Sequence, residues 1–126
     1  MDMPIPTIIV ADDDFICNLD ICETLREADF KVVTAYCASA AFEAIAKGGC
    51  LAGLVTDIDL GPGADGFEVA RRARAAYPGL PIVYISGSAA ARHPFDGVAD
   101  STFLSKPCPP HLIVAALNRA IRLEAA

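Results

Sequence analysis

The 126-residue chain sets 16 Asp and Glu against 10 Lys and Arg, a formal net charge of −6, with a pI near 4.7. That balance excludes a phosphate-tracking nucleic-acid surface, which needs clustered cations. With 54% hydrophobic residues and a mean hydropathy of +0.43, the chain is long and apolar enough to bury a core as one domain over residues 1–126.

No apolar run reaches the roughly 20 residues that cross a bilayer. Met1 to Thr7 lacks the basic start and long apolar region of a signal peptide, so the expected location is cytoplasmic.

Ile8-Ile9-Val10-Ala11 reads as a strand buried on both faces, ending in Asp12-Asp13-Asp14. A helix from about Phe15 to Ala28 follows, with Asp14 as N-cap and Ile16, Leu19, Cys22 and Leu25 as its inner stripe. Lys31 to Ala35 is a second strand. Cys37-Ala38 or Ser39 opens a second helix, packed through Ala38, Ala41, Phe42 and Ile45 and stopped by Gly48-Gly49.

A third strand, Leu51 to Thr56, delivers Asp57 to its C-terminal end, and the loop Gly61-Pro62-Gly63-Ala64-Asp65-Gly66 leads out of it. Asp65-Gly66 opens a third helix, with Phe67, Val69, Ala70 and Ala73 inward and Arg71, Arg72 and Arg74 towards water; Tyr77-Pro78-Gly79 ends it. Pro81 to Ile85 is a fourth strand, ending in Ser86-Gly87. Across Ser88 to Asp100, Pro94 and Gly97 limit any fourth helix to a short or irregular one. Thr102-Phe103-Leu104 is a short fifth strand, ending at Ser105-Lys106-Pro107. Pro109-Pro110 then starts a last helix with the stripe Leu112, Ile113, Ala116, Leu117, Ala120 and Ile121.

Five alternations of strand and helix predict a doubly wound, five-stranded parallel α/β sheet of flavodoxin-like type, with helices on both faces. Right-handed crossovers bring the strand C-termini to one edge. That edge collects Asp12, Asp13, Asp57, Ser86 and Lys106. Two carboxylates at ~4 Å repel by on the order of 4 kcal/mol at an effective dielectric of 20, so the cluster retains a proton or takes a hard divalent cation such as Mg²⁺. A carboxylate nucleophile, a cation and a lysine are the parts of an aspartyl-phosphate site. The five cysteines include no Cys-x-x-Cys pair and read as reduced, small core hydrophobes. His93 and His111 read as surface or capping residues.

At these spacings Asp12-Asp13, Asp57, Ser86 and Lys106-Pro107 resemble the receiver domain of two-component response regulators, from Thr7 to about Leu123. The resemblance implies that Asp57 is the phosphoacceptor, charged from a phosphohistidine on a histidine kinase or histidine phosphotransfer protein. It implies Mg²⁺ bound directly by Asp13, Asp57 and the backbone carbonyl of Asp59, with Asp12 acting through water. Ser86 would bind the phosphoryl group, Lys106 would pair with it, the Lys106–Pro107 bond would be cis, and Phe103 would be the switch aromatic. An Asp59 carboxylate contribution to the cation site is a further expectation.

The loop after Asp57 is one residue longer than the usual form, and Phe103 lacks the hydroxyl of the commoner tyrosine. Leu-Gly-x-Gly-x-Asp-Gly and Tyr84-Ile85-Ser86-Gly87 are similar to alphaproteobacterial single-domain and hybrid-kinase receivers. With the last helix near the end of the sequence, output is expected through a protein partner, without nucleic acid or membrane. Ser88 to Asp100 is the expected mobile part.

Two other readings compete. Asp57-Ile58-Asp59 also resembles the Asp-x-Asp of haloacid-dehalogenase-type aspartyl phosphatases, and a receiver-shaped docking module need not be phosphorylated. The receiver reading predicts no catalytic turnover beyond loading and loss of phosphate at Asp57.

Overall fold

The computed structural model describes residues 5–87 and 96–125. In chain order it contains β1 (Thr7–Ala11), α1 (Phe15–Glu27), β2 (Lys31–Ala35), α2 (Ala38–Lys47), β3 (Leu51–Asp57), α3 (Gly66–Ala76), β4 (Ile82–Ser86), β5 (Thr102–Ser105) and α4 (Pro110–Ala125). The strands form one sheet in the order β2-β1-β3-β4-β5, and every pairing is parallel. The expected short or irregular helix between β4 and β5, with most of the segment expected to be mobile and His93, falls on residues 88–95, outside the described residues. Among the described residues, no helix is long and apolar enough to cross a membrane.

Strand side chains alternate between two cores, which explains the uninterrupted apolar runs in the sequence. Ile9, Ala11, Leu54, Ile82 and Tyr84 face α2 and α3, where Ala41, Ile45, Phe67, Ala70 and Ala73 cover them. Ile8, Val10, Val55, Val83 and Ile85 face α1 and α4, meeting Ile21, Cys22, Leu25, Ile113 and Leu117.

Helix starts follow the sequence closely. Asp14 caps α1, accepting hydrogen bonds from the Ile16 and Cys17 amides at 3.0 and 3.1 Å. Asp65 caps α3 by accepting from the Glu68 amide at 3.0 Å. Cys37 occupies the N-cap of α2 without a side-chain capping bond, its Sγ lying 3.3 Å from Ser39 Oγ, and Gly48 ends that helix at φ +71°.

The inner face of α1 departs from the predicted stripe. Asn18, Ile21, Cys22 and Leu25 are buried, whereas Ile16 and Leu19 are 70% and 43% exposed. A helix turns about 100° per residue, so Ile16 lies roughly half a turn from Leu25 and cannot share its face. Leu112 leaves the α4 stripe for the same reason and is exposed, while Ile113 and Leu117 carry the contact. Arg74 also departs from expectation. It is half-buried and donates from Nε to Leu80 O at 3.1 Å and from Nη1 to Ala99 O at 2.7 Å. Cys22 alone among the five cysteines is a core residue; Cys37 and Cys50 are exposed, and Cys17 and Cys108 lie part-way. His111 is on the surface.

Candidate functional site

The strand order reverses between β1 and β3, making a switch point where ligands bind in open α/β sheets. Asp12 follows β1 and is fully buried, Asp57 ends β3 and Ser86 ends β4, both nearly buried. Asp13 is exposed. One carboxylate oxygen each from Asp12, Asp13 and Asp57 lies within 4.8 Å of the others, an arrangement that could hold a metal ion.

Lys106, just past β5, closes the group. Its Nζ donates to Asp57 Oδ2 at 2.9 Å and to Asp12 Oδ2 at 3.2 Å. Its backbone N–H donates to Ser86 O at 3.0 Å, which fixes the lysine beside the end of β4. The Lys106–Pro107 bond is cis. Asp57 Oδ1 accepts from the Asp59 amide at 3.2 Å, and Asp12 Oδ1 accepts from the Asp14 amide at 2.9 Å. Asp59 itself is exposed, so it meets Asp57 through its backbone, and its carboxylate is not part of the acid cluster.

Burial pushes the Asp12 carboxyl up to about 6, helped by the Asp57 charge and opposed by the Asp14 amide and Lys106. Burial would lower the Lys106 ammonium, but the Asp57 hydrogen bond and the charges of Asp12 and Asp57 outweigh it and hold the group above its ordinary value. Three acids with one lysine therefore leave net negative charge at the sheet edge, the condition for drawing in a cation.

The long loop is seated against the end of β3. Gly66 N–H donates to Ile58 O at 2.8 Å. A Cβ there would strike Asp57 O and lie 2.8 Å from Ile58 Cα, so only glycine admits α3 this close to Asp57. Phe103 pairs in register with Tyr84 and packs, partly buried, on the α2 and α3 side of the sheet.

Two participants escape a sequence reading. Tyr84 is fully buried, its ring 5.2 Å from that of Phe67, and its hydroxyl accepts from the Val98 amide at 3.1 Å. The hydroxyl missing from Phe103 is thus present on the neighbouring strand. Asn18 is fully buried within α1 and bonds the backbone at the ends of β1 and β2. Tyr84 lies within the predicted fourth strand and Asn18 within the predicted first helix, and neither spacing signals a partner.

Fold and site together define a doubly wound α/β domain whose switch point carries a cation-ready acid cluster and a single lysine. A family model described as the response regulator receiver domain matches residues 8–118, and the chain belongs to that family. It is a phosphoacceptor module of two-component signalling. A response regulator receiver protein from Sinorhizobium medicae is 37% identical, with 98% of this chain and 99% of that one covered and a TM-score of 0.92.

A CheY-like receiver protein from Methanospirillum hungatei shares the fold at 21% identity, covering 97% and 98% of the two chains, with a TM-score of 0.84. The receiver domain of the hybrid histidine kinase CckA does so at 22% identity, 91% and 98% coverage, and a TM-score of 0.75. No curated protein matched the chain. These likenesses lend no support to the phosphatase or docking-module readings. Receivers interact with histidine kinases and phosphotransfer proteins as signalling modules, which sets the general class of partner.

Proposed function

We propose that Asp57 accepts a phosphoryl group from the phosphohistidine of a histidine kinase or histidine phosphotransfer protein in the cytoplasm, and that residues 1–126 act as one receiver unit switching the binding of a downstream protein. The observation that carries this reading is Lys106 Nζ held between Asp57 and Asp12 at 2.9 and 3.2 Å, beside a three-carboxylate cluster.

An Asp57 oxygen forms the new P–O bond as the P–N bond to the histidine breaks, leaving its electron pair on the imidazole nitrogen. Lys106 is placed to move from the Asp57 carboxylate to a phosphoryl oxygen, keeping a charge-assisted bond throughout. Ser86, at the end of the adjacent strand, supplies a hydroxyl on the same edge.

The all-oxygen donor set fits Mg²⁺, which takes one or two carboxylates together with water and a phosphoryl oxygen. Asp13, Asp57 and the Asp59 carbonyl would hold it, with Asp12 behind them. Bound there, it would neutralise charge on the carboxylates and the incoming phosphoryl oxygens. Chemistry is confined to loading and loss of phosphate at Asp57, without turnover of a free substrate.

Acetyl phosphate should label the protein stoichiometrically with Mg²⁺ present, and Asp57→Asn should abolish the label. Labelling that survives Asp57→Asn, or sustained phosphate release from simple phosphoesters, would refute the assignment. Phosphotransfer from a panel of histidine kinases and phosphotransfer proteins then identifies the donor.

A further inference from the structure

The acid cluster depends on a turn, residues 12–14, that is itself held from beneath. Asn18 reaches back from α1 under this turn. Its Nδ2 donates to Asp12 O at 3.0 Å and to Ala35 O at 3.1 Å, so one amide group ties the end of β1 to the end of β2. Its Oδ1 accepts from the Cys22 thiol at 3.1 Å, and Cys22 Sγ lies 3.4 Å from Thr34 Oγ1.

The donor accounting is complete. With its only hydrogen given to Asn18, the Cys22 sulfur accepts from the Thr34 hydroxyl, and both Asn18 N–H groups end on carbonyls. The chain of bonds fixes which end of the amide faces the turn. A carboxylate at this position could not serve those two carbonyls, and an apolar side chain would leave the Asp12 carbonyl without its Asn18 donor, while Ala35 O keeps the Asp12 N–H at 3.1 Å.

We propose that Asn18 is a positioning residue for the acid cluster, acting through the Asp12 carbonyl to set where the Asp12 and Asp13 carboxylates stand relative to Asp57. The peptide whose carbonyl Asn18 holds is the one joining Asp12 to Asp13. The Asp12 carboxylate is pinned on its other side by the Asp14 amide at 2.9 Å, and Asp14 in turn caps α1. The Asp12 N–H is held by Ala35 O at 3.1 Å and its carboxylate by Lys106 Nζ at 3.2 Å, but the bond to the Asp12 carbonyl is the one from Asn18. Freeing it lets the Asp12–Asp13 peptide rotate and shifts Asp13 relative to Asp57. The inference rests on the proposed cation site for its functional meaning, but its geometric part can be tested without metal.

Asn18→Leu serves as the test, with Leu117→Ala as a comparably destabilised control, since Leu117 is a fully buried core residue of α4 that makes no part of the turn. In metal-free protein, amide exchange at Asp14 should accelerate selectively in Asn18→Leu beyond any global change, whereas Leu117→Ala should shift protected amides together. Mg²⁺ affinity should fall about 10-fold in Asn18→Leu, the low end for residues that orient a metal's ligands, and stay at the wild-type value in Leu117→Ala.

Cys22→Ala should weaken Mg²⁺ binding in the same direction, and Cys22→Ser, which keeps a donor for Asn18 Oδ1, should restore it. Asp14 exchange in Asn18→Leu no faster than in Leu117→Ala overturns the proposal. So does an equal loss of Mg²⁺ affinity in both variants. A wild-type protein that binds no Mg²⁺ refutes the cation site instead, and the exchange result still decides the role of Asn18.

Discussion

Gly66→Ala probes the contact that seats the long loop on the end of β3, beside the proposed acceptor Asp57. No strained backbone angle is involved, because Gly66 lies outside the positive-φ glycines and opens a helix, where alanine is a favourable residue. The cost is therefore steric. An alanine Cβ would strike Asp57 O and sit 2.8 Å from Ile58 Cα and 2.9 Å from Asp57 C. All three are backbone atoms and cannot swing aside. Ordinary carbon contact needs roughly 3.5–4.0 Å, so α3 and the end of β3 must part by about half an ångström or more. Overpacking of this kind costs about 1–3 kcal/mol, and for a domain of this size each kcal/mol lowers Tm by roughly 3–6 °C.

Two assays read the result. A thermal melt should fall by at least about 3 °C, and acetyl phosphate labelling should slow, because the displaced atoms belong to Asp57, the proposed acceptor. Gly63→Ala is the internal comparison. Gly63 sits in the same loop at φ +102° with nothing within 4 Å of a Cβ, so its substitution should cost about 1 kcal/mol of backbone strain while labelling stays near wild type. A Gly66→Ala protein that melts and labels like the wild type would refute the packing argument.

Other expectations follow from the charges and hydrogen bonds. The Asp12 carboxyl, at about 6 in the folded protein against 3.8 for the ordinary group, contributes stability that is complete below 3.8 and is lost as pH rises through about 6. Metal-free Asp12→Asn should accordingly gain on the wild type between about pH 4 and 6.5 in denaturant melts, with a level difference above that range; a difference independent of pH would contradict the burial of that charge. Lys106→Met leaves two buried carboxylates facing each other and should destabilise the metal-free protein by about 1–3 kcal/mol after allowance for the lysine's partial exposure. Added Mg²⁺ should recover part of that loss. Tyr84→Phe removes the acceptor for the Val98 amide and should cost about 1 kcal/mol, with faster amide exchange at Val98; unchanged exchange would show that the hydroxyl does not hold that segment. Asp59→Ala should leave Mg²⁺ affinity within about twofold, since the side chain stands outside the acid cluster and the backbone bond to Asp57 survives.

The sheet and the edge of acids were readable because parallel strands announce themselves as short apolar runs with a polar residue at the end. Asp12, Asp57, Ser86 and Lys106 each close such a run, and topology alone brings them together. Helix faces were less legible. Three-residue steps in α1 suggested a stripe, but they precess around the helix, and the true inner face includes Asn18, a residue type normally assigned to the surface. The carbonyls that Asn18 holds and the Val98 amide that the Tyr84 hydroxyl holds are backbone groups, which have no identity in a sequence. Gly66 was readable as a helix start, whereas its closeness to Asp57 depends on how tightly the loop closes. Arg74 shows the same limit, since its bonds to Leu80 and Ala99 end on carbonyls.

Lys106 and Asp12 are separated by 94 positions and Lys106 and Asp57 by 49. The lysine arrives with β5, at the outer edge of the sheet and last among the strands in sequence. Any partly folded chain in which β1 has paired with β3 but β5 has not docked brings the acids together without their lysine, and like-charge repulsion disfavours it. Docking of the final strand removes that penalty. Lys106, the counter-ion of the proposed phosphoryl site, thus also links completion of the fold to completion of that site, so a chain lacking its last strand presents the acids without their lysine.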